Sequence, residues 1–300
     1  MDLGGTKIEG IALVGSEERF RHRIATPRDY EGSLAAIMDL VALIERTVGE
    51  RGTVGIGIPG MISQRTGVVK NANSTWLIGK PLGAVLQERL DRPVRLMNDA
   101  NCFTLSEATD GAGAAFDSVF GVILGTGVGG GITIGRRVHV GANLIAGEWG
   151  HNPLPWPDVA ELPGPPCYCG RRGCIETYLS GPGMELDHRE QTGESRSTRE
   201  IVQAAATGDP RAAATLARYH NRVGRGLAAV VNLLDPDVIV LGGGMSNLPG
   251  LERAAFEAMR PHVFSDVVDT VIRLNVHGDS SGVRGAAWLW PDEQESRPGH

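Results

Sequence analysis

Three of the four cysteines, Cys167, Cys169 and Cys174, fall within eight residues of a 300-residue chain. That crowding is metal spacing rather than a disulfide framework. Three thiolates need one further donor to complete a tetrahedral zinc site, and His151 stands just upstream beside Trp149, Gly150 and Pro153. Four protein ligands would close the site, which makes the expected zinc structural. The alternative is three reduced cysteines in a loop. Glu148 and Glu176 flank the cluster. A stapled loop would aim both carboxylates at the hydroxyl groups of a ligand such as a sugar, whereas the plainer reading is two solvated charges. Cys102 lies on a predicted helix and is expected to be a small buried core residue.

A second group of residues suits anions. Asp2-Leu3-Gly4-Gly5-Thr6-Lys7 opens the chain. Its paired glycines allow backbone N–H groups to converge on a phosphate, with Asp2 near Mg²⁺ and Thr6 on a phosphate oxygen. A simple hairpin turn fits these six residues equally well. The P-loop pattern is absent. Gly125-Thr126-Gly127-Val128-Gly129-Gly130 matches the dinucleotide fingerprint, with Glu148 about 20 residues on. Yet Gly131-Ile132-Thr133-Ile134 follows, which is strand-like where that motif opens a helix. A glycine hairpin that admits phosphate is the better reading. Gly242-Gly243-Gly244 closes a predicted buried strand and is a third place of close approach, or a plain turn. Asn98-Asp99 ends a predicted strand, where open α/β sheets present ligands. Asp99 there would take a proton from an attacking hydroxyl, or would serve only as a helix N-cap. His188, His220 and His262 receive no role.

The elements that must position these groups alternate. Leu34, Ile37, Met38, Val41, Ile44 and Val48 predict a helix over 33–48. Strands are predicted at 54–58, 94–97, 119–124, 132–134 and 238–241, with helices near 81–90, 99–108, 211–234 and 281–290. The class is therefore α/β, with a joint near Asp110-Gly111-Ala112-Gly113. The uncharged run 118–135 reaches membrane-span length. Its seven glycines make it two strands about a turn. Glycine, at 42 residues, is about twice its usual share of roughly 7%. A net charge of -6 offers no basic footprint for nucleic acid. No secretory signal is legible, and a cytoplasmic protein is expected.

Taken together, DLGGTK at 2–7, GIGIPG at 55–60, NDAN at 98–101, GTGVGGG at 125–131, EWGH at 148–151, CYCGRRGCIE at 167–176 and LGGGMS at 241–246 resemble the ROK family of sugar kinases and repressors. That family lies within the actin-like ATPase superfamily. The resemblance spans nearly the whole chain. VVKNANSTWL, EWGHNPLPW and HGDSSGVRGAAWLW resemble its fructokinase branch more narrowly. It implies two ribonuclease-H-like domains with an interdomain cleft. A small domain is expected at 1–109 and a larger one at 110–300, with the terminal helix returning to the first. Only Met1 precedes Asp2, so the first strand is expected to be truncated. The resemblance further implies Asp99 as catalytic base and the sugar near Asn73, Asn98, Asp99, Glu148, His151 and Glu176. ATP and Mg²⁺ would lie against Asp2, Gly4, Gly5, Thr6, Lys7, Gly125, Thr126, Gly127, Gly242, Gly243 and Gly244. Structural Zn²⁺ would sit on His151, Cys167, Cys169 and Cys174, with His151 serving both metal and sugar. The expected reaction is fructose plus ATP to fructose 6-phosphate, mannose or glucose being secondary acceptors. Alternatives are an N-acetylglucosamine kinase, a glucokinase, or a sugar-responsive repressor. The last would carry a helix-turn-helix ahead of the phosphate loop. A homodimer without nucleic-acid or membrane partners is expected.

Overall fold

The computed structural model describes residues 1–72, 74–278 and 281–290. Strands β1 (Asp2–Leu3), β2 (Lys7–Val14) and β3 (Glu17–Ala25) open the chain, followed by helix α1 (Tyr30–Val48). Then come β4 (Val54–Ile58), the small hairpin β5 (Met61–Ile62) and β6 (Val69–Lys70), α2 (Leu82–Leu90), β7 (Val94–Asn98) and α3 (Asp99–Asp110). The second half begins with β8 (Ser118–Leu124), β9 (Val128–Ile134) and β10 (Arg137–Val138). It continues through α4 (Glu176–Leu179), α5 (Gly181–Thr192), α6 (Thr198–Ala206) and α7 (Pro210–Leu234). It ends with β11 (Val238–Gly242), α8 (Leu251–Met259), β12 (Val271–Leu274) and α9 (Ser281–Ala287).

Two five-stranded sheets result among the described residues, ordered β3-β2-β1-β4-β7 and β10-β9-β8-β11-β12. In each, the first three strands form an antiparallel meander and the next two join in parallel. The same connection scheme therefore occurs twice, in keeping with the duplicated α/β architecture that the resemblance implies. One consequence bears on the site. The Gly4-Gly5-Thr6 turn joins the first two strands of one sheet, and the Gly125-Thr126-Gly127 turn joins the first two strands of the other. β1 has two residues and keeps its place between β2 and β4. Met1 extends the pairing, its carbonyl accepting from Gly57 N at 2.8 Å.

Each half closes around its own apolar core. Asp29 starts α1 by accepting from Gly32 N at 2.7 Å, and Gly49 at φ 82° ends it. The helix then lays Leu34, Ile37, Leu40 and Val41 against β2 and β4, where Ile8, Ile56 and Ile58 are buried. In the second half α7 places Tyr219, Val223, Leu227 and Val231 against β8 and β11. No described helix is long and apolar enough to cross a membrane.

Helix α9 packs on α3, β4 and β2. Backbone approach there leaves no room for side chains. A Cβ on Gly285 would stand 1.6 Å from the carbonyl oxygen of Cys102, and one on Gly55 would stand 1.8 Å from that of Ala286. Trp290 completes the dock, donating from Nε1 to Val54 O at 2.9 Å beneath the Arg95 guanidinium. Because the obstructing atoms are backbone, Gly285→Ala is expected to lower stability by at least about 1–3 kcal/mol, read as a fall in the urea midpoint at constant slope. An unchanged midpoint would show that α9 is not docked in this way.

Candidate active site

The parallel pair β4 and β7 ends at one edge of the first sheet, and α3 starts there. Asn98, not Asp99, is the N-cap of α3. Its Oδ1 accepts from Ala100 N at 2.9 Å and from Asn101 N at 3.4 Å, and its Nδ2 donates to Gly60 O at 3.0 Å. The capping reading of Asp99 is thus corrected by one position. The short amide closes the helix end and pins the Gly60 turn, and the next carboxylate is released from that task. Asp99 accepts from Ala100 N at 2.9 Å and is otherwise open to solvent.

Asp99 is reached by solvent yet lined by protein on several sides. Burial is the largest influence on its acidity and pushes its pKa up to about 6. The charges of Asp2 and, less strongly, Glu148 push the same way, while the Ala100 N–H opposes them. Asp2 is raised too, chiefly by burial. It lies over Gly57, where a Cβ would meet its Oδ1 at 3.3 Å and the sulfur of Cys102 at 3.4 Å. Cys102 is fully buried and its thiol is pushed far up by that burial, so it is an inert floor beneath Asp2. Glu148 is raised by burial and by Glu176, with His151 acting against both.

Glu176 begins α4 and reaches back to the second glycine turn. Its Oε2 accepts from Val128 N at 2.9 Å, and a Cβ on Gly127 would stand 2.7 Å from that oxygen. Gly125 bonds across the turn to Gly127 O at 2.9 Å, and Gly181 N at the start of α5 donates to Gly125 O at 2.8 Å. Residues 129–134 continue as β9, so the dinucleotide-binding alternative lacks its helix. The third glycine run lies alongside. Gly243, at φ 82°, leaves only 2.3 Å between a Cβ and Leu124 O, and Gly244 opens onto free space. Gly5 and Thr6 are exposed in the first turn, where Gly4 N donates to Lys7 O at 3.0 Å.

His151, Cys167, Cys169 and Cys174 present donor atoms that all lie within 4.8 Å of one another. Cys169 and Cys174 are 3.7 Å apart at sulfur, and Cys167 Sγ is 3.6 Å from His151 Nδ1. Zinc–sulfur bonds of about 2.3 Å set tetrahedral edges of about 3.8 Å, so both separations fit such an ion. Backbone bonds frame the loop, Leu154 N to Gly173 O at 2.9 Å and Ile175 N to Asn152 O at 2.8 Å. His151 Nε2 lies 2.9 Å from the hydroxyl of Tyr168. A sugar hydroxyl approaching that nitrogen must therefore displace Tyr168, a group whose role the sequence did not signal.

The structure thus gathers Asp2, Asn98, Asp99, Glu148, His151 and Glu176 with the glycine turns at 125–127 and 242–244. Asn73 lies outside the described residues. Ser74 beside it is buried, and its hydroxyl faces Gly5, with 3.7 Å between Oγ and the position of a Cβ there.

The sequence matches the model of the ROK family over residues 1–293. It is 41% identical over 294 residues to the N-acetyl-D-glucosamine kinase of Escherichia coli O6:H1, covering 96% of this chain and 97% of that one. The fold is similar to that of a ROK hexokinase from Thermus thermophilus, with a TM-score of 0.85, 35% identity and 95% of both chains covered. A ROK family glucokinase from Streptomyces griseus, solved with glucose and AMPPNP, gives a TM-score of 0.77 at 30% identity, covering 96% of this chain and 97% of that one.

The raised pKa of Asp99 has a consequence for stability. Its neutral form is favoured by the fold, so its stabilising contribution is present below its unfolded pKa of about 3.9 and lost as pH rises through about 6. Asp99→Asn is expected to raise the thermal midpoint at pH 8 and leave it unchanged at pH 4. Equal midpoints at pH 8 would mean that the carboxylate is not strained by its surroundings.

Proposed function

The chain belongs to the ROK family and is a sugar kinase; from that premise we propose that its acceptor is N-acetylglucosamine and that Asp99 is the base. The acceptor rests on the 41% identity to the Escherichia coli enzyme, which extends over 96% of this chain. The fructose expectation rests on shorter stretches of likeness and yields to it. Fructose, glucose and mannose remain the comparison acceptors.

The observation that carries the chemistry is the free carboxylate at position 99, drawn to a pKa of about 6 beside two other acids. A base near the operating pH combines a useful ionised fraction with a real affinity for the proton. Asp99 orients the primary hydroxyl of the sugar and accepts its proton as the oxygen attacks the γ-phosphorus of ATP. The bond from that phosphorus to the bridging oxygen of ADP breaks in line. Phosphoryl transfer asks for alignment and charge neutralisation above all. The Gly4–Thr6 and Gly125–Gly127 turns would present to the phosphates backbone N–H groups other than those of Gly4 and Gly125, which bond within the turns, and the open space at Gly244 leaves room for the nucleotide. Asp2 would hold Mg²⁺, which when bound offsets phosphate charge. Glu148 and Glu176 accept from sugar hydroxyls, and Asn98 holds the Gly60 turn at the pocket wall. Zn²⁺ on His151, Cys167, Cys169 and Cys174 would serve structure, since a four-ligand site leaves no open position.

Asp99→Asn is expected to lower kcat by about 10²–10⁴-fold with little change in sugar affinity. Near wild-type turnover would remove Asp99 from the mechanism. The wild-type rate should fall below about pH 6 as the carboxylate takes up its proton. Coupled ADP release across an acceptor panel is expected to give N-acetylglucosamine the highest kcat/KM. Fructose in first place would overturn that assignment without touching the base. Elemental analysis should find about one zinc per chain, and Cys169→Ser should lose it together with sugar affinity. Active protein free of zinc would reject the metal.

A further inference from the structure

The loop that carries the metal donors is anchored at a second point besides the thiolates. Its proline-rich segment leads into a short helical turn, Val159–Glu161. Glu161 is half-buried, with its side chain 8% exposed. Two arginines from one face of α7 converge on it. Arg225 reaches its two oxygens at 2.7 and 2.9 Å, and Arg222 donates from Nε at 2.7 Å. These guanidiniums are 4% and 7% exposed. Arg222 also donates to Asp187 of α5 at 2.8 Å, and Arg225 to the carbonyl of Trp156 at 2.6 Å. The backbone oxygen of Glu161 accepts from the hydroxyl of Tyr178 in α4 at 2.7 Å, with Arg222 over that ring at 5.0 Å. Burial opposes the Glu161 charge, but Arg225 and Arg222 outweigh it and hold the carboxyl down at about 2.

Two of the connections from Glu161, through Tyr178 and through Trp156, lead toward residues assigned to the sugar pocket. Tyr178 sits two positions beyond Glu176 on the same short helix, and α4 is only four residues long. A helix that short has little rigidity of its own. Trp156 and Pro155 sit on the irregular segment that runs back through Leu154 to His151. We infer that Glu161 is a positioning residue for the sugar pocket: held between Arg222 and Arg225, it fixes the outer side of the metal loop and the start of α4, so that Glu148, His151 and Glu176 keep one spacing. The metal donors close the loop at its two ends, and the arginine fork pins its middle. Neither staple suffices by itself, because the loop between them has little regular structure. The inference rests on the sugar-kinase reading of the site above.

Glu161→Gln keeps the shape and removes the charge that two buried guanidiniums require. Because positional errors near an ångström weaken catalysis sharply, we expect its sugar Kd and KM to rise about tenfold or more, with KM for ATP within about twofold and zinc content unchanged. Arg225→Lys keeps the charge and loses the fork, and should show the same split more mildly. It also serves if Glu161→Gln does not fold. Calorimetric sugar binding is measured beside turnover. Sugar binding unchanged in both variants, or sugar and ATP constants rising together, would overturn the inference. A wild-type chain that binds no sugar would instead sink the reading of the site itself.

Discussion

Like charges held together are the constraint on which the rest of the structure depends. Asp2, Asp99 and Glu148 come from the start of central strand β1, a helix start and a loop, and each raises the proton affinity of Asp99 or is raised in turn. Left free, three carboxylates would separate into water. They remain because each is fixed from behind by backbone packed too closely to shift. A Cβ on Gly129 would stand 3.2 Å from Ala100 Cβ, and one on Gly131 would stand 2.5 Å from Thr104 Oγ1. The first turn of α3 is therefore pressed directly on β9. Gly129 and Gly131 find their physical reason there.

The loop bearing Glu148 is held in the same manner. Gly147 and Gly150 leave 2.5 and 2.4 Å between a Cβ and the carbonyl oxygens of Gly130 and Val128. Trp149 between them donates to Gly129 O at 3.0 Å and meets Phe120 edge-on at 5.7 Å. One face of the loop is thus fixed by packing against β9. The opposite face has no sheet to lean on, and there the thiolate cluster and the Arg222–Glu161–Arg225 fork take over. A loop fixed by packing on one side and by polar staples on the other can carry acids into a cleft without a helix or strand of its own.

Much of this was legible in the sequence. Runs of β-branched residues revealed β4 and β11, and the heptad-like stripe revealed α1. The hairpin β2–β3 was not seen. β3 reads Glu17-Glu18-Arg19-Phe20-Arg21-His22-Arg23, an edge strand whose exposed face lacks the apolar alternation that marks a strand. Helix α5 was missed because Gly181-Pro182-Gly183 opens it and its buried face includes Asp187 and His188. The metal cluster was legible because its donors are close in sequence. Glu161 was not, since its partners stand 61 and 64 positions away. Spacing likewise could not tell whether Asn98 or Asp99 would cap α3, as both residue types cap equally well. Only the backbone direction at the strand end decides it.

The most direct test is a crystal structure of the complex with N-acetylglucosamine and a non-hydrolysable ATP analogue. The account predicts that a carboxylate oxygen of Asp99 lies within about 2.6–3.2 Å of the acceptor's primary hydroxyl, with the γ-phosphate in line beyond it. A sugar bound with that hydroxyl directed away from Asp99, or a carboxylate turned back onto the end of α3, would contradict it.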